Sequence, residues 1–358
     1  VVVADEWHEL VGTKRGVQVE LALSRLRALR PELKTWGLSA TIGNMEESRE
    51  ILLGPEHNPD KAVIIKGEAP KQTYVETILP ETIEKFPWSG HLGIKLIEHI
   101  IPVIARSKTT LLFTNTRSQA EIWYQNLLVF YPELAGQMAL HHGSLNQELR
   151  YWVENALHEE RLKVVVCTSS LDLGVDFRPV ETVIQVGSPK GVARFSQRAG
   201  RSGHQPGAVS AIYFVPTNSL ELIEGAALKD ALQREIYEER VPYINPYDTL
   251  IQYLLTLAVA EGFRPWQIYE EVIRTYAFYE LTRDEYQWIL DFIEHGGQAL
   301  QQYDEYNKVT VTEEGYYQIR DRRKATRQRL NVGTIVSDTA LTVKFLKGKP
   351  LGTIEEAF

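Results

Sequence analysis

Cysteine is almost absent from this chain of 358 residues, which contains only Cys167. A single cysteine excludes an internal disulfide framework and a zinc site built on cysteine ligands, and it fits a reducing compartment. The sequence also lacks a signal peptide, the phosphate-loop pattern G-x-x-x-x-G-K-[ST], and any apolar run near the ~20 residues that a membrane helix requires. These absences predict a cytoplasmic protein.

The composition is that of an ordinary globular protein, with 44% hydrophobic and 24% charged residues. The length predicts two to three domains, at roughly 100–200 residues each. The net charge of −8 leaves no general basic coat, so any binding of nucleic acid must depend on a local patch. Residues 1–4 (Val-Val-Val-Ala) have the pattern of the interior of a strand, and we therefore expect a fragment of a longer protein. Because the phosphate-loop pattern is missing, we expect this fragment to be inactive as an enzyme by itself.

The most informative stretch runs from Lys163 to Gly207. Residues 163–167 are a β-branched run typical of a buried parallel strand, and residues 168–176 turn polar at its carboxyl end, where α/β sheets bind ligands. After a second strand at 180–186 comes Gln-Arg-Ala-Gly-Arg-Ser-Gly-His at 197–204. The planar guanidinium group of arginine can donate to two phosphate oxygens, and glycine permits close approach, so this run is suited to binding phosphate. The alternative is a solvated helix face.

A second site-like pattern lies at the beginning of the chain. Asp5 and Glu6 follow the strand at residues 1–4, so two carboxylates stand side by side at its carboxyl end. Adjacent acids repel each other unless a cation neutralises them, and Mg²⁺ is commonly held by one carboxylate together with substrate phosphates. The alternative is a chance pair of surface acids.

Alternating strands and helices predict two parallel sheets, with a domain boundary at Ala69-Pro70. We expect domains at 1–70 and 71–217. The predicted strands include 35–38, 62–66, 110–113 and 208–215, and the predicted helices include 16–30, 46–53, 91–105 and 117–130.

Two short polar segments follow predicted strands of the second domain. Thr114-Asn115-Thr116-Arg117 lies where a strand meets a helix, so its hydroxyls, amide and helix N–H groups could bind a DNA phosphate; plain capping by Thr116 is the alternative. His141-His142 lacks the third and fourth ligands of a zinc site, which argues against a metal site there.

From Asn218 onward the alternation stops and helices dominate. Helices at 245–260, 266–276 and 282–295 followed by a strand pair predict a winged helix over 218–330, a fold that binds nucleic acid or braces other domains. Six cations within positions 320–329 are either phosphate contacts or a solvated hairpin. Residues 331–358 are expected to begin a β-rich domain.

Several of these segments resemble the motifs of superfamily-two helicases. Residues 168–176 and 197–204 look like motifs V and VI, Asp5-Glu6-Trp7-His8 looks like motif II, and Ser39-Ala40-Thr41 looks like motif III. The resemblance implies that Asp5 binds Mg²⁺ through water and that Glu6 orients or deprotonates the attacking water. It also implies that Arg201, with a smaller share for Arg198, reaches the γ-phosphate of ATP. His204 stands where most relatives have arginine.

With Asn245-Pro246-Tyr247-Asp248 included, nearly the whole chain is similar to the large helicase-related (Lhr) family, and more narrowly to its bacterial ligase-associated branch. The implied fold is α/β: the C-terminal part of one RecA-like domain, a complete second RecA-like domain, a winged helix, and the start of a β-rich domain. The implied function is an ATP-dependent 3′-to-5′ DNA translocase of repair that acts on single-stranded DNA or on DNA and RNA-DNA duplexes beside a ligase or nuclease.

The same resemblance assigns further site residues. Nucleotide contacts are implied at His8, Gly174, Asp176 and Gln197. Coupling between the ATP site and the second domain is implied at Ser39 and Thr41. Nucleic-acid contacts are expected at Thr114, Asn115, Arg117, His142, Thr168 and Ser169. The density of the basic run, and not the resemblance, adds Arg322, Arg323 and Arg327 to these contacts. A binding module without catalysis, which only grips nucleic acid or a repair partner, remains the alternative function.

Overall fold

The computed structural model describes residues 1–40, 42–67, 73–79, 93–172, 180–203, 210–296, 308–330, 340–344 and 350–355. The chain forms two compact units. The first unit comprises Val1–Ser39, Asn44–Ile64 and Arg240–Phe358, and the second comprises Ala40–Gly43 and Ile65–Glu239. In the part of the chain that is described, no helix has the length and apolarity needed to cross a membrane.

The first unit begins with a small parallel sheet and three helices. The elements are β1 (Val2–Ala4), α1 (Trp7–Leu10), α2 (Lys14–Leu29), β2 (Thr35–Gly37) and α3 (Met45–Leu53). Strands β1 and β2 pair in parallel, with Val2 opposite Thr35. The predicted strand at 62–66 is wrong: these residues form no strand, and Val63 and Ile65 are exposed, because no neighbouring strand pairs with them.

The second unit is a parallel sheet with helices packed on both of its faces. Its elements in chain order are β3 (Thr73–Thr77), α4 (Ile97–Arg106), β4 (Thr110–Phe113), α5 (Arg117–Phe130), β5 (Met138–His141), α6 (Gln147–His158), β6 (Val164–Cys167), β7 (Thr182–Val186), α7 (Val192–Ala199), β8 (Ser210–Val215) and α8 (Ser219–Gln233). The strand order is β3-β8-β7-β4-β6-β5, and every neighbouring pair is parallel. The predicted parallel sheet is confirmed.

The β-branched run in β6 shows why this sheet is buried on both faces. Val165 and Cys167 belong to one hydrophobic cluster, while Val164 and Val166 belong to another. Successive side chains of a strand point to opposite faces, so one run of four apolar residues fills both cores. This burial fixes the strand register, which in turn fixes where the loops at the strand ends lie.

The remainder of the first unit is a winged helix. Its elements are α9 (Tyr247–Val259), α10 (Pro265–Val272), α11 (Arg283–His295), β9 (Thr310–Val311), β10 (Tyr317–Gln318), α12 (Arg322–Leu330), β11 (Ala340–Lys344) and β12 (Pro350–Glu355). Strands β9 and β10 form an antiparallel hairpin, and Phe263 pairs with Tyr317 on its other side. Strands β11 and β12 are also antiparallel.

The hairpin alternative for the basic run is wrong, because most of the run is helix α12. The side chain of Asp321 accepts the backbone amides of Arg323 at 2.7 Å and Lys324 at 3.2 Å, which caps the N-terminus of the helix. The residues that follow are mostly strong helix formers. With its N-terminus capped by Asp321, most of the run forms a new helix and does not extend the hairpin.

Helix α2 shares one hydrophobic core with the winged helix. Val17 and Leu21 lie in the same buried cluster as Leu250, Leu254 and Phe278. Polar contacts reinforce this packing along α10: the hydroxyl of Ser24 donates to the backbone carbonyl of Glu271, and the guanidinium of Arg25 pairs with the Glu271 carboxylate at 2.6 Å. The segment that carries Asp5 and Glu6 is thus built onto the winged helix.

Candidate functional site

The turn that carries the acid pair is held by β2 and α3. The amide of Trp7 donates to the carbonyl of Leu38 at 2.8 Å, and the buried Trp7 indole donates to the carbonyl of Ser48 at 2.9 Å. Glu6 has φ 49° and ψ 41°, in the left-handed region. Such a conformation costs about 1–3 kcal/mol in a residue with a side chain, and strain of this kind concentrates at functional sites.

The carboxylates at this turn surround a buried histidine. His8 is buried, with Nδ1 3.7 Å from Glu6 Oε2 and Nε2 3.6 Å from Glu9 Oε1. Burial lowers the pKa of His8, although the nearby Glu9 and Glu6 carboxylates oppose the shift. Asp5 is exposed, and its Oδ1 accepts the Glu6 amide at 2.9 Å. An exposed carboxylate beside a second acid provides the oxygen ligands that Mg²⁺ prefers.

The predicted coupling residues follow β2. Ser39 is exposed just beyond the end of that strand, and Leu38, which precedes it, donates its amide to the carbonyl of Ala4 in β1 at 2.9 Å. Thr41 lies outside the described residues. The structure therefore brings Ser39 next to the acid turn through the pairing of β1 and β2.

In the second unit, the register of the sheet brings the polar loops together. Phe113 lies opposite both Cys167 and Gln185, and Cys167 lies opposite His141. Strands β4, β5, β6 and β7 therefore end at the same level, and all of them run in the same direction. Their following loops meet at one edge of the sheet, where ligands bind in this class of fold.

The loop after β4 is fastened to its neighbours. Thr114 is buried, and its hydroxyl donates to the carbonyl of Cys167 at 3.3 Å, while Asn115 Nδ2 donates to the carbonyl of Ser188 at 2.9 Å. Thr116 caps α5 by accepting the amide of Gln119 at 3.2 Å. Capping by Thr116 is thus observed. Arg117 is exposed and pairs with Glu121 at 2.8 Å.

The two histidines at the end of β5 have protein partners. His141 is buried, with Nδ1 2.8 Å from Ser170 Oγ and Nε2 3.1 Å from Glu154 Oε1. Burial lowers the pKa of His141, against the effect of the Glu154 carboxylate. His142 is also buried, with Nε2 3.9 Å from Glu121 Oε1. Within the described ranges, no group of three or more His, Cys, Asp and Glu side chains is arranged to hold a metal ion.

The loop after β6 begins with Thr168 and Ser169. The amide of Thr168 donates to the carbonyl of His141 at 3.2 Å, and Ser169 is exposed. Gly174 and Asp176 lie outside the described residues, so their predicted nucleotide contacts stay predictions. The loop is described as far as Asp172, which is buried.

Arg198 on α7 lies in the core and does not face the solvent. Its Nε and Nη2 donate to Asp172 Oδ1 and Oδ2 at 2.8 Å and 3.0 Å, and its Nη1 donates to Gln185 Oε1. The guanidinium lies over the ring of Phe113, 4.6 Å from its centroid. Only 2% of the Arg198 side chain is exposed. Every nitrogen of this guanidinium is engaged inside the protein.

Arg201 has a different environment. It is half-buried, and its Nε donates to the backbone carbonyl of Asp172 at 3.1 Å, as does its Nη2. Gln197, also half-buried, precedes Arg198 on α7. His204 lies outside the described residues. Of the two predicted arginines, the structure leaves Arg201 nearer the surface.

Two residues of this network were missed by the sequence reasoning, Asp172 and Gln185. Asp172 belongs to the loop in which the resemblance to motif V singles out Gly174 and Asp176. Gln185 gave a signal, because an amide within the apolar strand 182–186 requires a buried partner. Its own NH₂ group donates to the carbonyls of Val186 and Gly187 at 3.1 Å and 2.9 Å, which directs its oxygen to Arg198.

The remaining predicted contacts lie on α12 in the first unit. Arg322, Arg323 and Arg327 are all exposed. On another side of this helix, Gln328 donates to Gln252 of α9 at 3.0 Å. The helix thus packs through a polar contact while several of its cations face the solvent.

Two protein-family models match the chain. Residues 93–205 match the helicase conserved C-terminal domain, and residues 230–358 match the winged helix domain of large helicase-related protein. The first match covers most of the parallel sheet, which is therefore RecA-like. The second covers the winged helix.

Similar proteins and structures agree with these matches. The chain is 31% identical over 363 residues to ATP-dependent helicase Lhr-Core protein 2 of Thermococcus barophilus and 33% identical over 365 residues to ATP-dependent helicase Lhr-Core of Methanothermobacter thermautotrophicus; each match covers 100% of this chain and 42% of the relative. A structure of Mycobacterium smegmatis helicase Lhr bound to ssDNA and AMP-PNP is similar over 92% of this chain and 42% of that one, with a TM-score of 0.78 and 29% identity. The chain thus spans less than half the length of these proteins.

Proposed function

The chain belongs to the large helicase-related (Lhr) family, and on this premise we propose that it forms part of an ATP-dependent DNA translocase. The proposed polarity is 3′-to-5′, and the proposed setting is DNA repair beside a ligase or nuclease, as in the bacterial ligase-associated branch. Single-stranded DNA and DNA or RNA-DNA duplexes are the proposed substrates. The relatives named ATP-dependent helicase support the use of ATP.

One observation carries this proposal. Strands β4, β5 and β6 end at one level of the sheet, as the pairings of Phe113 and His141 with Cys167 show, so the loops that follow them begin side by side. Arg201 is bonded to the loop after β6. The same loop thus carries proposed contacts with the nucleic-acid backbone and also binds the arginine that is proposed to contact phosphate. A motor that couples ATP to DNA requires such a link.

The acid turn has its own part in the proposed ATP chemistry. Asp5 would hold Mg²⁺ through water, and the ion would neutralise charge on the phosphates. Glu6 orients the attacking water and accepts its proton. Ser39 lies beside this turn, as coupling between the ATP site and the rest of the motor would require.

Nucleic acid is proposed to contact both units. In the second unit, Arg117 and Ser169 are exposed at the carboxyl edge of the sheet, whereas Thr114, Asn115, His142 and Thr168 shape the loops that present them. In the first unit, Arg322, Arg323 and Arg327 on α12 offer phosphate contacts.

We propose four domains for the chain: 1–70, 71–217, 218–330 and 331–358. The match of residues 93–205 to a helicase domain supports the second, and the match of residues 230–358 to the winged helix domain supports the third. The core shared by α2 and the winged helix joins the first and third into one compact unit.

The proposal is tested in a protein that carries these residues together with a phosphate loop. ATP hydrolysis should be stimulated by single-stranded DNA and abolished by Glu6→Gln, while DNA binding persists. Polarity follows from duplexes with a 3′ or a 5′ overhang, because a 3′-to-5′ motor displaces the strand only when loaded on the 3′ overhang. Hydrolysis that survives Glu6→Gln contradicts the assignment.

A second candidate is a binding module without catalysis. The basic surface of α12 favours it, because contacts between arginine and phosphate need no ATP. This candidate predicts DNA affinity that is indifferent to ATP and no hydrolysis when a phosphate loop is supplied. The translocase predicts hydrolysis in the same assay.

A further inference from the structure

Asp172 is the residue on which both arginines of the 197–204 run converge. Its carboxylate accepts two parallel bonds from Arg198, at 2.8 Å and 3.0 Å. Its backbone carbonyl accepts the Nε of Arg201 at 3.1 Å and also the Nη2. One residue of the loop after β6 therefore sets the positions of both guanidinium groups.

The Asp172 carboxylate and its partner Arg198 are buried. Arg198 and Asp172 are 2% and 4% exposed, and the bidentate geometry fixes the plane of the guanidinium. Gln185 in β7 and the ring of Phe113 in β4 hold the same guanidinium from other directions. Arg194 adds an outer contact, with its Nε 3.6 Å from Asp172 Oδ2. Asp172 is thus anchored to the centre of the sheet.

The carbonyl half reaches the candidate phosphate ligand. Arg201 is bound through the backbone of Asp172, so a movement of the loop after β6 moves the partner of Arg201 directly. Thr168 and Ser169, the proposed nucleic-acid contacts, belong to this loop and lie four and three residues before Asp172. Contact with DNA and placement of Arg201 therefore share one short segment.

We propose that Asp172 is a positioning residue: the clamp of its carboxylate on Arg198 keeps its carbonyl aimed at Arg201, and so places Arg201 for the phosphate. The proposal rests on the proposed ATP-dependent function for its kinetic part alone. The placement of Arg201 is a structural property that can be measured without any activity.

The structural measurement uses the 358-residue chain and NMR of arginine Nε–H groups, with the Arg201 signal assigned through Arg201→Lys. In the wild type, the Nε–H of Arg201 should be protected from exchange with water. Asp172→Asn should remove this protection, because the amide cannot accept both bonds from Arg198 and the loop loses its anchor. Unchanged protection of Arg201 in Asp172→Asn overturns the proposal.

The kinetic measurement uses a protein that carries these residues and a phosphate loop. Asp172→Asn should lower kcat with single-stranded DNA by about 10²-fold, the size of effect that a small misplacement produces, while KM for ATP and Kd for DNA stay within about 2-fold. If the wild type shows no DNA-stimulated hydrolysis, the proposed function fails, and the NMR result still decides the placement of Arg201.

Two further variants separate positioning from stability. The double variant Asp172→Leu, Arg198→Met removes both buried charges and should fold as stably as the wild type, since apolar replacement of a buried ion pair is often neutral or stabilising. A positioning role predicts that this double variant folds yet stays slow and leaves Arg201 unprotected. If the double variant has the wild-type kcat and a protected Arg201 Nε–H, the role of Asp172 is purely structural and the proposal is overturned. Leu157→Ala, in the same unit and 2% exposed, controls for reduced stability and should keep the wild-type kcat and Arg201 signal.

Discussion

Arg198 and Arg201 are three positions apart in one run, and burial separates their roles. The guanidinium of Arg198 donates its hydrogen bonds to Asp172 and Gln185 in the buried core. Arg201 donates to a backbone carbonyl and is half-buried. A guanidinium bonded on all sides in the core cannot also reach a phosphate without breaking those bonds, so the larger share predicted for Arg201 gains support from the geometry.

Substitution of the two arginines should therefore have different effects. Arg198→Ala leaves Asp172 as a buried charge without its main partner and should lower the free energy of unfolding by about 3–5 kcal/mol. Arg201→Ala should leave stability nearly unchanged and, in a protein with a phosphate loop, lower kcat about 10³-fold with little change in KM. Thermal unfolding and steady-state ATPase assays check both. A kcat loss for folded Arg198→Lys that exceeds the loss for Arg201→Ala would reverse the assignment.

Glu20 on α2 is a buried acid whose titration should be visible in stability. Its side chain is 5% exposed, and its Oε2 accepts the backbone amide of Ala277 at 2.9 Å. Burial raises the pKa of Glu20 to about 8, against the backbone hydrogen bonds from Ala277 and Tyr276. Below its unfolded pKa of about 4.5 both states are protonated, so its contribution is fully present there.

As pH rises from about 4.5 to about 8, the native state holds a proton that the unfolded state has released, and the free energy of unfolding falls. Glu20→Gln stays neutral and should flatten the melting temperature against pH across this window, with a higher melting temperature than wild type at pH 8. Glu32→Gln, at an exposed position of the same unit, is the control and should follow the wild-type curve. Parallel curves for wild type and Glu20→Gln would contradict the buried titration.

At the scale of elements, α12 is a dense basic surface, and its role can be tested by salt dependence. The variant with Arg322, Arg323 and Arg327 all replaced by alanine should bind single-stranded DNA more weakly. For every phosphate that no longer has an arginine partner, the slope of log K against log salt should decrease by roughly 0.7. Affinity should fall about equally for all sequences, because phosphate contacts carry no base information.

The matched control removes three exposed cations from the second unit, Arg161, Lys229 and Arg234. It changes the net charge by the same amount, so it corrects for long-range attraction to DNA. Fluorescence anisotropy at several salt concentrations should show a flatter slope for the α12 variant than for this control. Equal slopes mean that α12 is a solvated helix and that DNA is held elsewhere.

The elements that could be predicted from sequence are those whose own residues decide them. The β-branched run of β6 and the apolar residues of β4 each contribute side chains to both cores of the sheet. Thr116 caps α5 at the position where its hydroxyl predicted the start of a helix. The strand predicted at 62–66 failed, since alternation in Val63 and Ile65 says nothing about whether a partner strand lies beside it. The convergence of Arg198 and Arg201 on Asp172 could not be predicted from the sequence, because it depends on the register of β4 against its two neighbours, β6 and β7.

For the whole molecule, the shared core of α2, α9, α10 and α11 makes a specific prediction about cooperativity. Leu21 is 1% exposed and lies in one cluster with Leu250 and Leu254. Truncation of a buried leucine to alanine costs about 2–5 kcal/mol. Because the cluster is continuous, Leu21→Ala should weaken the winged helix as much as the helix that carries the substitution.

Native-state amide hydrogen exchange can measure this effect segment by segment. In Leu21→Ala, the exchange free energies of α2 and α9 should fall together and by similar amounts, whereas those of β4 and β6 should fall less, because their strands pack in the separate clusters of the second unit. Leu157→Ala provides the reciprocal control, since it should weaken β6 more than α9. A winged helix that keeps full protection in Leu21→Ala would show that it is stable without α2, and the acid turn at Asp5 and Glu6 would then be merely attached to it.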